Sequence, residues 1–263
     1  MTSEQTEGQG PRRFALHEQS QDLFLGGRMR LSQPKDGYRA AADPVLLAAS
    51  CPARAGQTVL ELGCGVGVAS LCLASRVQGV VVHGLELQPA YADLARHNAA
   101  ITGLPFHVHE GDLRRMPMDL RGSFDHVIAN PPYFAPQGGT AARDDGRETA
   151  QREDTPLSDW LLAARKRLHP GGWLTMIHSA DRLADILAGA EGFGAIAVLP
   201  VAPRHGRAAN RVIVRLRKGA RGAFRLLAPL VMHEGDRHQG DRESYAPEVT
   251  AVLREGARVA RFD

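Results

Sequence analysis

Thr58-Val59-Leu60-Glu61-Leu62-Gly63-Cys64-Gly65-Val66-Gly67 is the stretch whose reading decides the fold. Residues 58–62 form a short, nearly continuous apolar run, the pattern of a strand covered on both faces. Alternate glycines end it, and residues 68–75 take up helical periodicity. A strand that passes through a glycine turn into a helix is the first half of a βαβ unit. The unit recurs downstream. Residues 80–85, 106–110 and 124–129 read as strands, with an amphipathic helix over 89–101 whose apolar side carries Leu94, Ala95 and Ile101. A helix over 155–168, with Trp160, Leu161 and Ala164 inward, is broken by Pro170-Gly171-Gly172. Strands over 173–177, 195–201 and 211–216 and a helix over 181–190 complete the pattern, and the last strand admits an antiparallel direction. The expectation is an α/β fold: a mostly parallel, seven-stranded sheet with helices on both faces and a short N-terminal hairpin extension. Right-handed crossovers bring the carboxyl ends of such strands to one edge, where ligands bind.

Composition sets the outer limits. The 263 residues are 43% apolar and 23% charged, which is globular. No apolar run reaches the roughly 18 residues of a membrane span. Residues 1–22 read as a disordered polar tail rather than a signal peptide. Residues 23–263 read as one domain: an extension over 23–55, a core over 56–218 and a C-terminal extension over 219–263. Within the first, Leu23 to Leu31 suggests a hairpin turning at Gly26-Gly27, Gln33 to Arg39 a loop, and Asp43-Pro44 the N-cap and first position of a helix that runs to Ser50. Three cysteines with no CxxC pair point to a reducing, cytoplasmic setting without disulfides. No metal is expected, since the eleven histidines show no HxxxH spacing and His107 and His109 alternate along a strand. Net charge is only +3, yet residues 201–225 hold eight Lys/Arg and no acid. That strip suits a polyanion such as nucleic acid; the plainer alternative is a charged, solvated strand edge.

Four strand ends should face one crevice: the Gly63 loop, Glu86, Asp112 and Asn130. The loop matches neither the dinucleotide GxGxxG spacing nor a P-loop. Its glycines allow close backbone approach to a ligand that brings no pyrophosphate. Glu61 suits a cationic amine, Glu86 the two hydroxyls of a ribose, and Asp112 an adenine amino group; each has a plainer reading, as surface acid, helix cap or turn residue. Together they describe S-adenosylmethionine. Asn130-Pro131-Pro132-Tyr133 is stiff and extended, with an amide oxygen and a free carbonyl able to accept both hydrogens of a planar NH2 group and a ring to stack on its plane; the plainer reading is a proline-stiffened turn capped by an aromatic. Cys64 is not expected to be a nucleophile, as no histidine with an orienting partner stands at a useful spacing.

These residues resemble a known family. Glu61 to Gly67 resembles the cofactor loop of class I, Rossmann-like methyltransferases, and Asn130 to Tyr133 the motif of those that methylate planar nitrogens. Gln33-Pro34-Lys35-x-Gly37-Tyr38-Arg39, Asp43-x-Val45-Leu46-Leu47, Pro229-Leu230-x-Met232-His233, Tyr245 and Glu248 are similar to the bacterial adenine-N6 methyltransferases of valine tRNA, over about Leu23 to Gly256. The resemblance implies a cofactor site of Tyr38, Arg39, Glu61, Gly63, Cys64, Gly65, Gly67, Glu86, Leu87, Asp112, Leu113 and Asn130. It implies catalysis by Asn130, Pro131, Pro132 and Tyr133 on an adenine of tRNA. Tyr133 and Phe134 would meet the base, and Arg143, Arg147 and Arg152 suit its phosphates, or else belong to a charged loop. A glutamine amide in a protein, guanine N2 in rRNA and a non-catalytic cofactor-binding regulator remain as alternatives. The first is disfavoured because about 55 residues precede the first core strand, too few for the separate helical domain those enzymes carry.

Overall fold

The computed structural model describes residues 13–133, 155–235 and 244–263. Strands β1 (Gln19–Phe24) and β2 (Met29–Pro34) pair antiparallel. Then come α1 (Ala42–Ser50), β3 (Thr58–Leu62), α2 (Val68–Arg76), β4 (Val81–Glu86), α3 (Pro89–Thr102), β5 (Phe106–Glu110) and β6 (Phe124–Ala129). After α4 (Leu157–Arg167) follow β7 (Leu168–Ser179), α5 (Leu183–Ala188), β8 (Phe193–Arg204) and β9 (Arg211–Lys218). Two short strands, β10 (Arg225–Leu226) and β11 (Leu230–His233), precede α6 (Pro247–Glu255).

The main sheet has the order β10-β8-β9-β7-β6-β3-β4-β5, with β11 also on β8. The expected seven strands form its body, and β10 and β11 extend it to nine by pairing parallel to successive parts of β8. Among the described strands of this sheet, only β9 runs antiparallel, against both β7 and β8. The chain moves outward from β3 through β4 to β5, then crosses back to β6 on the other side. The switch point therefore lies between β3 and β6, where the glycine loop and Asn130 emerge.

Side-chain parity divides the core. On β3, Val59 joins a layer with α1, α2, α3 and the C-terminal elements, while Leu60 and Leu62 join Trp160, Leu161 and Ala164 of α4. On β6, Ile128 faces the first layer, and Val127 and Ala129 face the second. Alternation of this kind, apolar on both faces, is what a covered parallel sheet requires.

Several expectations change. The hairpin begins at Gln19, inside the stretch read as tail, and Gln33 and Pro34 are strand rather than loop. Ala41, not Asp43, precedes the first helical residue of α1, so Asp43 sits in the first turn and its carboxylate is available elsewhere. Pro170-Gly171-Gly172 does not end an element; it bulges within β7, where Leu168 pairs Phe124 and Trp173 pairs His126. Such an extra-residue bulge leaves periodicity on either side intact, so sequence shows it as a break. Ile101 is half exposed, and the buried side of α3 holds Tyr91, Ala92, Leu94, Ala95 and Asn98.

Candidate active site

The three loop glycines do different work. Gly63 and Gly67 have φ of +64° and +87°, and a Cβ on them would lie 2.6 Å from Trp160 and 2.5 Å from Phe106. Their smallness serves packing as well as the turn, a role that the sequence reading did not include. Gly65 also has positive φ, but a Cβ on it would meet nothing nearer than the Tyr38 ring at 3.8 Å. That is the position with room for a ligand backbone approach. Cys64 donates its N–H to the Leu85 carbonyl, and its sulfur packs where a Cβ on Gly84 would be only 2.7 Å away. Burial pushes its thiol well above its ordinary pKa, consistent with a packing residue.

Glu86 ends β4 and is buried. One carboxylate oxygen accepts the Gly65 N–H at 2.8 Å and the other accepts the Gln88 N–H at 2.9 Å. Burial raises its pKa while these amides pull it back. The Leu87 N–H is a third backbone donor to this carboxylate, which still leaves acceptor capacity for a ligand hydroxyl. Glu61 is deeper. Its Oε2 accepts both the N–H and the hydroxyl of Ser70 and so pins the first turn of α2 beneath the loop. Burial lifts its pKa to about 8, with the Ser70 hydrogen bonds opposing. Beyond β5, Asp112 caps a short turn by accepting the Arg114 N–H and is gripped by the Arg114 guanidinium. Leu87, which follows Glu86, presents an exposed apolar side chain, and Leu113 is half buried against the α4 layer. Arg39 is committed to the hairpin: its guanidinium donates to both oxygens of Asp22, to Ser20 and to the Pro34 carbonyl.

Asn130 leaves β6 at the switch point. Its Nδ2 donates to the Tyr38 hydroxyl at 3.2 Å, and Tyr38 in turn donates its backbone N–H to the Tyr91 hydroxyl. The Asn130 Oδ1 is buried and has no hydrogen-bond partner among the described residues. A buried amide oxygen left unpaired costs about 1–3 kcal/mol, so its retention marks a position that a ligand can satisfy. Tyr133 is held by residues that the sequence did not connect to it. Its hydroxyl donates to Asp43 of α1 at 2.7 Å, the Arg211 guanidinium lies 4.5 Å from its ring centroid, and the buried His178 ring lies 5.0 Å away. Burial lowers the pKa of His178 to about 4. Its Nδ1 accepts the Ser179 N–H, which places the proton of the neutral ring on Nε2. Phe134, Arg143, Arg147 and Arg152 lie outside the described residues.

The comparisons with known proteins agree with this geometry. A methyltransferase domain family matches residues 59–141. Relatives from Yersinia pseudotuberculosis and Yersinia pestis, named tRNA1(Val) (adenine(37)-N6)-methyltransferases, are 30% identical over 211 residues, which cover 76% of this chain and 83–84% of theirs. The chain belongs to the class I S-adenosylmethionine-dependent methyltransferases. Among solved structures, a predicted O-methyltransferase of Agrobacterium tumefaciens superposes with a TM-score of 0.66 at 27% identity, covering 83% of this chain and 99% of that one. A 16S rRNA N2 G1207 methyltransferase of T. thermophilus, solved with AdoMet and guanosine, shares the fold with a TM-score of 0.53 at 20% identity over 76% of this chain and 50% of that one.

The methyltransferase's own residues fit its cofactor. The space over Gly65, the Glu86 carboxylate at the adjoining strand end and the exposed Leu87 beside it make a cradle with acceptor and apolar parts in sequence. Sequence reasoning missed one residue that shapes it. Asn98, buried on α3, accepts the Ser32 N–H and donates to the carbonyls of Ser32 and Val66, tying the hairpin to the loop. A polar residue four positions after Leu94 on an apolar face was the available signal.

Proposed function

We propose that this methyltransferase transfers a methyl group to the exocyclic N6 of an adenine in tRNA, in the cytoplasm. The observation that carries the reading is the unpartnered, buried Oδ1 of Asn130 at the switch point, next to the cofactor loop. The names of the Yersinia relatives supply the acceptor. When bound, S-adenosylmethionine supplies an electrophilic methyl on a sulfonium. Glu86 is assigned to the ribose hydroxyls, Gly65 to close backbone contact, and Leu87 and Leu113 to the adenine, while Glu61 supports the loop from beneath through Ser70.

The amino group of adenine is a weak nucleophile because its lone pair is delocalised into the ring. Asn130 Oδ1 and the Pro131 carbonyl accept its two N–H groups, which favours a pyramidal nitrogen and returns the lone pair to it. The same oxygens stabilise positive charge that develops on nitrogen, and the excess proton then leaves to solvent. No strong base is needed. Tyr133 gives the displaced base a ring to stack on after it leaves its own stack. The two prolines keep the acceptors fixed, so alignment is the main service.

Incubation with methyl-labelled cofactor and total tRNA, followed by nucleoside separation, is the test. Label is expected in N6-methyladenosine. Asn130→Ala should lower kcat more than tenfold while cofactor affinity persists. Label in N2-methylguanosine, or only in protein, would overturn the adenine assignment.

A further inference from the structure

Three residues distant in sequence meet at Tyr133. Asp43 comes from the first turn of α1, His178 from the end of β7 and Arg211 from the start of β9. The register explains the last. Because β9 runs antiparallel to β7, Arg211 pairs with Ser179, so the beginning of β9 stands at the carboxyl edge shared by β6 and β7. A parallel strand would have brought its other end there.

The bonding is specific. A single oxygen of Asp43, Oδ2, accepts the Tyr133 hydroxyl at 2.7 Å and Arg211 Nε at 3.1 Å. The Arg211 plane is fixed a second time by donation to the Asn210 carbonyl at 3.1 Å. Its guanidinium carbon lies 4.5 Å from the Tyr133 ring centroid, the geometry of a cation on an aromatic face. The edge of the tyrosine is therefore latched, Arg211 covers one face, and the His178 ring packs against the tyrosine ring at a tilt of 50° with centroids 5.0 Å apart. Asp43 and Arg211 are each only about one-third exposed, so the ion pair is partly shielded from water.

We propose that Asp43 and Arg211 are positioning residues for methyl transfer: they latch Tyr133 by its hydroxyl and cover one ring face, so that the ring meets one planar substrate ring at a fixed tilt. This rests on the reading of Tyr133 as the stacking platform. A freely rotating ring would present either face at many tilts. Misalignment near 1 Å costs about a hundredfold in rate when alignment is the main source of catalysis.

The test is a double-mutant cycle on Asp43→Ala and Tyr133→Phe, with methyl transfer to total tRNA as the rate and calorimetric S-adenosylmethionine binding as the control. Tyr133→Phe keeps the ring and removes only the latch. Each single variant is expected to lower kcat about thirtyfold, with cofactor affinity within twofold of wild type. Asp43→Ala in the Tyr133→Phe background should add less than a twofold further loss. Arg211→Gln, which uncovers the ring face, should lower kcat more than it raises KM for tRNA. Full activity of Tyr133→Phe, or independent losses that multiply in the double variant, would overturn the proposal. The cycle is run on whichever nucleotide the wild type labels, so failure of the adenine assignment leaves this test standing.

Discussion

Glu61 shows how one residue takes a meaning that its position alone does not give. It stands two residues before the glycine loop, which reads as aimed at a ligand, yet its Oε2 is held by Ser70 at the start of α2. Burial raises its pKa from the ordinary 4.5 to about 8. The folded chain therefore keeps a proton that the unfolded chain releases above the carboxylate range. The associated stability is complete below about pH 4.5 and is lost as pH rises toward 8. Glu61→Gln keeps an acceptor for Ser70 and does not titrate. Its Tm relative to wild type should climb between pH 5 and pH 8, by on the order of 3 kcal/mol of stability at the upper end. A constant Tm difference across that range would show that the carboxyl is not protonated in the fold. Asn130 was legible because its proline neighbours and its place after a strand leave few alternatives. Asp43 and Arg211 were not, because each meets Tyr133 only through tertiary contact.

At the level of elements, strands were the easiest to read. β3 and β6 match their sequence limits, since a strand covered on both faces is an unbroken apolar run that turn residues end sharply. The hairpin was read too short, because β1 is polar over Gln19 to Asp22 and polar residues paired on an exposed ribbon carry no apolar signal. The bulge in β7 looked like a break because its extra residues leave the periodicity on either side intact. Asn98 joins α3, β2 and the cofactor loop through three hydrogen bonds to backbone groups. Asn98→Ala leaves those groups buried and unpaired, at a cost of about 2–4 kcal/mol. Hydrogen exchange should quicken at β2 and at the loop together, and cofactor affinity should fall. If only α3 loses protection, the hairpin is not coupled to the loop in this way.

Across the whole molecule, the basic strip does not act as a unit. Arg215 donates to the Ser50 carbonyl and lies 3.9 Å over the Phe262 ring, and burial lowers its pKa to about 10. Lys218 serves the Leu168 carbonyl, Arg217 that of Gly171, and Arg225 that of Phe262. Arg207 and Arg221 are exposed and have no side-chain partner among the described residues. Counting charges in sequence could not separate these roles. Arg215→Ala should lower Tm with little change in the salt dependence of tRNA binding. Arg207→Ala and Arg221→Ala should each reduce the slope of log K against log salt by about 0.7–0.9 and leave Tm unchanged. Equal slopes in all three variants would place the RNA on another face. The three cysteines carry a different consequence. Cys51 caps α1, Cys64 lies in the cofactor turn and Cys72 lies on α2; all are buried, and burial moves the first to about 11, the last to about 12 and Cys64 well upward. An alkylating reagent meets no thiolate on the native surface. Labelling has to wait for each site to open, so the modification rates of three thiols are built-in clocks for the breathing of three adjoining elements, with no probe to engineer.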